Sequence, residues 1–378
     1  MADATNHPRT CPAGSAEPLH RAYDTALLDL DGVVYAGGAA VPHAVASLAT
    51  ARDAGMRLAY VTNNAARTPK TVAEHLTALG VPAVPEEVVT SAQAVARLIA
   101  EAVPAGARVL CAGGEGLRVA LAERGLTPVD SAEDDPAAVV QGYGGPDLPW
   151  GVLTEAALAV NRGVPWYASN TDLTIPSGRG IAPGNGAAVE VVRIATGHTK
   201  DPLVAGKPLP PMHRETILRT GAKRPLVVGD RLDTDIEGAW AGGVDSLLVF
   251  TGVTDPALLL AAEPRHRPTY VAADLRGLLT PQASVAPEGA GFRCGGWRAE
   301  VVDGRARLAP GGGASPGGGP RDGASPGGEP RDDASPRGGP QDDAGRLDGL
   351  RALCAAVWSS REPLRAEAYG AALAELGW

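Results

Sequence analysis

Four short apolar runs in this chain each break off in a polar or charged cluster: "TALLDLDG" (25–32), "RLAYVTNN" (57–64), "DPLVAGKP" (201–208) and "RPLVVGDRLDTD" (224–235). None alternates apolar with polar residues, so none suits a sheet with one wet face. Continuous runs of this kind are strands of a parallel sheet buried on both sides. The connections agree with that. "VPHAVASLATARDAG" has the spacing of a helix ending at Gly55, and "PPMHRETILRTGA" reads as a helix with Pro210 and Pro211 near its start. "DIEGAWAGG" followed by "DSLLVF" adds another helix and strand. From Asp29 to Thr62 is 33 residues and from Lys207 to Asp230 is 23, each a single strand–helix–strand step. The 145 residues from Thr62 to Lys207 are far too many for one crossover, so a second domain is inserted there.

The insert reads as alternating elements of its own: "RVLCAG", helix "GLRVALAERG", "AAVVQGYG", helix "LTEAALAVNRG", "PWYASN" and helix "GAAVEVVRIATG". The expected organisation is a flexible N-terminus over 1–22, an α/β core over 23–80 and 201–282, and an insert over 81–200. A small C-terminal module follows over 283–309 and 346–378, with a hairpin around Asp303-Gly304 and two helices. It is interrupted by a linker over 310–345, where "GASPGGGPRD", "GASPGGEPRD" and "DASPRGGPQD" repeat with a period of ten. Such Gly, Pro and Ser content cannot bury enough apolar surface to offset its ordering entropy.

Composition excludes several classes of function. A formal charge of -9 argues against nucleic-acid or anionic-membrane binding, both of which need a basic face. The four cysteines are scattered without CxxC spacing, which fits reduced thiols in a cytoplasm better than disulfides or zinc. The N-terminus lacks the pattern of a signal peptide, and no run approaches the ~18 apolar residues of a membrane span. A cytoplasmic protein is expected.

Asp29 and Asp31 are therefore an anomaly, since burying one unpaired carboxylate costs several kcal/mol, on the order found for buried charges. In an open parallel sheet, ligands bind at the carboxyl ends of the strands. If the four runs are neighbouring strands, their ends gather Asp29 and Asp31, then Thr62, Asn63 and Asn64, then Lys207, and finally Asp230 and Asp235. Carboxylates with backbone oxygens make a hard-cation site, with Mg²⁺ the usual occupant beside phosphate. A lysine and a hydroxyl suit phosphoryl oxygens, and an aspartate can attack phosphorus covalently while a second carboxyl moves the proton. Taken singly, "DLDG" is an ordinary turn, "VTNN" a strand end or helix cap, and "GDRLDTD" a solvated acidic loop. "CAGGEGLRVAL" has Val119 where a dinucleotide fingerprint needs its third glycine, and reads as a turn in the insert. The order of all four clusters carries the weight.

"DLDGVVY", "VTNN", "GKP" and "GDRLDTDI", in that order, closely resemble the four motifs of haloacid dehalogenase-like (HAD) hydrolases. The insert between the second and third resembles the C2 cap of class IIA, the NagD-like or 4-nitrophenylphosphatase-like group, and "ASNTDLTIPSGRGIAPGNGAAVE" is similar to that group's cap sequence. The resemblance covers roughly residues 23–280. It implies a Rossmann-like parallel-sheet core with a C2-type cap, and a Mg²⁺-dependent phosphomonoesterase working through a phospho-aspartyl intermediate. By it, Asp29 is the nucleophile and Asp31 the general acid/base, and Asp29, the Asp31 carbonyl and Asp230 hold Mg²⁺. Thr62 and Lys207 grip the phosphoryl group with help from Asn63 and Asn64, while Asp235 supports the metal or Lys207. Asp233 has no assigned role. Ile175 and Pro176 fall where the class touches the leaving group, whereas Ala65 and Ala66 stand where some members have polar residues. The implied partner is a small phosphorylated metabolite, glycerol 3-phosphate first, with 2-phosphoglycolate, nucleoside monophosphates and sugar phosphates as alternatives. A homodimer through the caps is also implied, without an independent signal in the residues. A phospho-aspartate signalling receiver is the alternative of another class, but it needs no second aspartate and has no room for the insert.

Overall fold

The computed structural model describes residues 9–177, 179–311 and 343–378. The chain divides into two units, the first built from Glu17–Thr254 and Ala262–Gln282 together with the segment ending at Arg9. Its main sheet has six strands in the order Tyr270–Ala272, Asp245–Val249, Pro225–Gly229, Thr25–Leu28, Arg57–Thr62, Val88–Thr90, and every pairing is parallel. Strand Thr25–Leu28 lies at the centre and is buried throughout, as its unbroken apolar run requires. From this strand the chain moves outward on one side to Val88–Thr90, then returns on the other side at Pro225–Gly229. That reversal is a switch point, and Asp29 and Asp230 are the first residues past its two strands.

The insert carries a second parallel sheet, ordered Leu203–Val204, Trp166–Ala168, Ala138–Gln141, Arg108–Ala112, Thr127–Val129. The two sheets share one hydrophobic cluster. Leu27, Ala59, Val61 and Val89 of the main sheet meet Val95 and Ile99 of helix Ser91–Ala100, and through it Val109, Cys111, Leu117 and Tyr167 of the insert. A separate cluster with Trp166 and Val139 lies under helices Trp150–Asn161 and Asn185–Ala195.

Three expectations are corrected by this architecture. "DPLVAGKP" does not enter the main sheet; its two-residue strand Leu203–Val204 pairs with Tyr167–Ala168 of the insert. Leu203 is 59% exposed there, so this apolar run marks an edge strand and not one buried on both faces. Conversely, Val88–Thr90 falls within the expected insert of 81–200 but pairs with Tyr60–Thr62 of the main sheet. The N-terminus is not flexible over the whole of 1–22: Leu19–Ala22 is helical, and Leu19 is fully buried.

The second unit comprises Thr10–Ala16, Asp255–Ala261 and Ala283–Trp378. An antiparallel sheet, ordered Ala286–Glu288, Gly291–Cys294, Trp297–Val302, Arg305–Pro310, is joined by helices Asp343–Trp358 and Gly370–Glu375. Asp303 (φ 51°) and Gly304 (φ 71°) turn its last hairpin with the left-handed pair that strand twist favours. Trp358 Nε1 donates to Leu259 O at 3.3 Å, tying in helix Pro256–Leu260. Of the expected linker over 310–345, Pro310 closes a strand and Asp343 opens a helix, while the ten-residue repeats lie outside the described residues. No helix among the described residues is long and apolar enough to cross a membrane.

Candidate active site

Strand Thr25–Leu28 continues its ladder one step further, with Asp29 N donating to Val228 O at 2.8 Å, and this fixes Asp29 at the mouth of the sheet. Its carboxylate accepts a short hydrogen bond from Lys207 Nζ. The same ammonium donates to Asp235 Oδ1 at 2.8 Å and to Val61 O at 3.2 Å, so its three protons have three acceptors. Burial alone would push the lysine down, but the carboxylates of Asp235 and Asp29 outweigh it and hold the ammonium well above the ordinary lysine range. Burial pushes Asp29 up; Lys207 opposes this, and the negative charges of Asp235 and Asp230 reinforce it.

Carboxylate oxygens of Asp29, Asp230 and Asp235 all lie within 4.8 Å of one another. Three carboxylates and one ammonium leave two negative charges uncompensated, which is the charge of one divalent cation. Asp230 makes the point most sharply. Its Oδ2 accepts from Val253 N at 2.7 Å, while Oδ1 is buried and has no hydrogen-bond partner. Burial first, and then Asp235, raise its pKa to about 6. An orphaned buried carboxylate oxygen beside two others suits a hard cation with oxygen ligands. Gly32 makes room for this residue: it sits at φ +83°, and a Cβ there would stand 2.6 Å from Asp230 Oδ2.

Asp31 lies two residues past Asp29 and is accessible at the mouth. Partial desolvation there pushes its carboxyl up, against the opposing charges of Lys207, Arg67 and His75. Thr62, at the end of the next strand, is buried, and its Oγ1 accepts from Asn64 N at 3.1 Å. The side chains of Asn63 and Asn64 are both committed to the protein. Asn64 Oδ1 accepts from Ala66 N (2.9 Å) and Arg67 N (3.1 Å), closing the loop, and Asn63 bonds the backbone of Lys207. Asp235 sits in a π-helical turn, Leu232–Ile236, with Oδ2 accepting from Arg231 N at 3.2 Å. Asp233 points away into a two-point pair with Arg231, at 3.1 and 2.8 Å, outside the carboxylate cluster.

Ile175 and Pro176 belong to a hairpin of the insert, Thr174–Ser177 with Gly180–Pro183, where they pair with Ala182 and Ile181. Ile175 is half-buried. Two groups at the site were not singled out by the sequence. One is Tyr35 with His75, whose rings meet edge to face at 5.1 Å. The other is Asp172, whose carboxylate accepts from Asn63 Nδ2 at 3.1 Å. Asp172 lies inside the quoted cap stretch, but nothing in its own neighbourhood sets it apart from any loop aspartate.

The sequence matches the haloacid dehalogenase-like hydrolase family over residues 26–127 and a second HAD-hydrolase-like family over 204–278. It is 46% identical over 292 residues to a D-glycerol 3-phosphate phosphatase of Mycobacterium tuberculosis, covering 77% of this chain and 79% of that protein. It is 38% identical over 255 residues to an acid sugar phosphatase of Staphylococcus haemolyticus, covering 67% of this chain and 94% of the relative. Among solved structures, a glycerol phosphate phosphatase from Mycobacterium tuberculosis in complex with magnesium superposes with a TM-score of 0.78 at 40% identity, covering 95% of this chain and 99% of that one.

Proposed function

The chain belongs to the haloacid dehalogenase-like hydrolases and is a phosphatase, and from that premise we propose that it hydrolyses glycerol 3-phosphate through a phospho-aspartyl intermediate. The observation that carries the reading is the meeting of Asp29, Asp230 and Asp235, the first and last of them holding Lys207 Nζ, with Asp31 open to the mouth beside them. Asp29 and Asp230, with the main-chain carbonyl of Asp31, would hold Mg²⁺, and Asp235 would orient Lys207 behind them. The ion would neutralise charge on the phosphoryl oxygens and on the attacking carboxylate.

In our reading, the Asp29 carboxylate attacks phosphorus and displaces the alkoxide of the ester, which takes its proton from Asp31. The upward push on Asp31 keeps a larger share of it protonated for that step. Asp31, now ionised, removes a proton from water as that water attacks the phospho-aspartate, releasing inorganic phosphate and restoring Asp29. Lys207 and Thr62 bind the phosphoryl oxygens, with Asn63 and Asn64 holding the loop that presents them. Ile175 and Pro176 border the leaving group. We also propose a homodimer through the inserts, supported by the exposed apolar side chains Trp150, Leu158, Ile194 and Leu203 that the insert carries. We also propose a cytoplasmic location, on the scattered spacing of the four cysteines in the sequence.

The test of substrate is kcat/KM over a panel with glycerol 3-phosphate, 2-phosphoglycolate, nucleoside monophosphates and sugar phosphates. Glycerol 3-phosphate should rank first; a sugar phosphate ahead of it by tenfold or so, about 1.4 kcal/mol in transition-state binding, would reassign the substrate.

A further inference from the structure

Asn63 is the point at which the insert reaches the lysine. Its side-chain amide closes a ring with the backbone of Lys207: Oδ1 accepts the Lys207 N–H at 2.8 Å, and Nδ2 donates to the Lys207 carbonyl at 3.2 Å. Nδ2 also faces the carboxylate of Asp172, at 3.1 and 3.4 Å from its two oxygens. Turned over, the amide would set its oxygen against a carbonyl and a carboxylate and its NH₂ against an N–H, so only one orientation is satisfied. The main-chain carbonyl of Asn63 is held as well, by Ser91 Oγ at 2.6 Å and by Asn170 Nδ2 at 2.7 Å. Asn170 is buried and anchored in the insert, its carbonyl accepting from Asn185 Nδ2 at 2.7 Å and its Oδ1 from Asp172 N at 3.1 Å. The neighbouring glycine permits this approach, since a Cβ on Gly206 would stand 2.7 Å from Asn63 Oδ1.

We propose that Asp172 is a positioning residue for phosphoryl transfer. It holds the Asn63 amide in the orientation that clamps the Lys207 backbone, and so sets where Lys207 Nζ meets the phosphoryl oxygens. This rests on Lys207 as the phosphoryl grip. What Asp172 contributes is a hydrogen-bond acceptor rather than a negative charge, and the two contributions have opposite consequences. As a charge it would repel the substrate, and removing it by any substitution would tighten phosphate binding. As an acceptor it can be replaced by an asparagine oxygen but not by a methyl group.

The experiment measures kcat, KM for glycerol 3-phosphate, the inhibition constant of inorganic phosphate, and Tm, on the full chain with Mg²⁺. The variants are Asp172→Ala, Asp172→Asn and Lys207→Ala. Asp172→Ala should lower kcat/KM by about ten- to a hundredfold, the range for a reacting group displaced by an ångström or less, and weaken inhibition by phosphate in parallel. Asp172→Asn should stay within about threefold of wild type in both, and damage there would overturn the proposal even if the alanine variant does not fold. Wild-type kinetics in Asp172→Ala, tighter phosphate binding in either variant, or an asparagine variant as damaged as the alanine one would each overturn the proposal. If Lys207→Ala keeps its activity, the reading of Lys207 itself is wrong, and the proposal falls with it.

Discussion

Asp230→Asn should stabilise the metal-free protein while disabling it. Asp230 is 1% exposed, with one carboxylate oxygen lacking any partner, and its pKa is raised to about 6 from an ordinary 3.8. A shift of about two units at 1.36 kcal/mol each is ~3 kcal/mol of destabilisation carried by the ionised form. The sign follows from linkage: the folded state binds this proton more tightly than the unfolded chain. The penalty is therefore complete above about pH 6 and is relieved as pH falls toward 4. Asparagine carries no such penalty. Its side-chain oxygen can still accept from Val253 N, and its amide would present donors to the Asp235 carboxylate. Thermal denaturation in EDTA near pH 7 should place the variant above wild type by about 3 kcal/mol, or roughly 6–12 °C at 2–4 °C per kcal/mol. The gap should shrink by about pH 5, where wild-type Asp230 is largely protonated. Mg²⁺ at about a thousand times its Kd should reverse the order, since it then adds about 4.1 kcal/mol to a protein that binds it. A variant no more stable than wild type in EDTA near pH 7 would refute the claim that Asp230 is an uncompensated carboxylate waiting for a cation.

Asp29→Asn should cost on the order of 10⁴-fold or more in kcat with the fold retained, and substantial residual turnover would contradict a covalent route. Asp31→Asn should cost about 10²–10⁴-fold on glycerol 3-phosphate and least on 4-nitrophenyl phosphate, whose leaving group needs no proton; equal losses would remove Asp31 from the acid's role. Glu215 is fully buried among Arg97, Arg124 and Arg219, and Glu215→Gln should lower stability by about 3 kcal/mol in urea titrations at neutral pH. Burial pushes that carboxyl up, but the hydrogen bonds of Arg97 and Arg219 with the charges of Arg219 and Arg124 outweigh it, so its pKa is lowered. Its contribution is therefore present above the unfolded carboxyl's range and is lost as pH falls through the lower folded value, which the glutamine variant should not show. Leu117→Ala, in the cluster shared by the two sheets, should cost about 2–5 kcal/mol.

The parallel sheet and the insertion were legible because they are written in local patterns: continuous apolar runs, the polar residues that end them, and gap lengths. The acidic cluster was legible for the same reason, since Asp29 and Asp230 each follow directly on a strand that sequence alone delimits. Three things were not. Whether "DPLVAGKP" joins one sheet or the other depends on an edge-strand pairing with Tyr167–Ala168, some 35 residues away, and its apolar run would look the same either way. The side chains of Asn63 and Asn64 look like ligand-binding amides, but each finds backbone partners, and backbone groups are invisible to residue identity. Asp172 acts only through Asn63, so no spacing rule could have separated it from Asp233, which makes nothing more than a pair with Arg231.

These three omissions share a cause, and it bears on how the enzyme admits substrate. Lys207 reaches the site from the insert's edge strand, with Ala205 N donating to Ala168 O at 3.1 Å just before it. On its far side, helix Pro210–Thr220 is bound through Glu215 to Arg97 on helix Ser91–Ala100 and to Arg124 just past helix Glu115–Glu123. The lysine is thus bracketed by contacts that cross from core to insert in both directions, over a hydrophobic cluster that both sheets share. Swinging the whole insert away would expose several side chains worth about 1.5–3 kcal/mol each and would release the Asn63 clamp that positions the lysine. On this architecture the contacts that join insert to core are the same ones that hold the lysine in place.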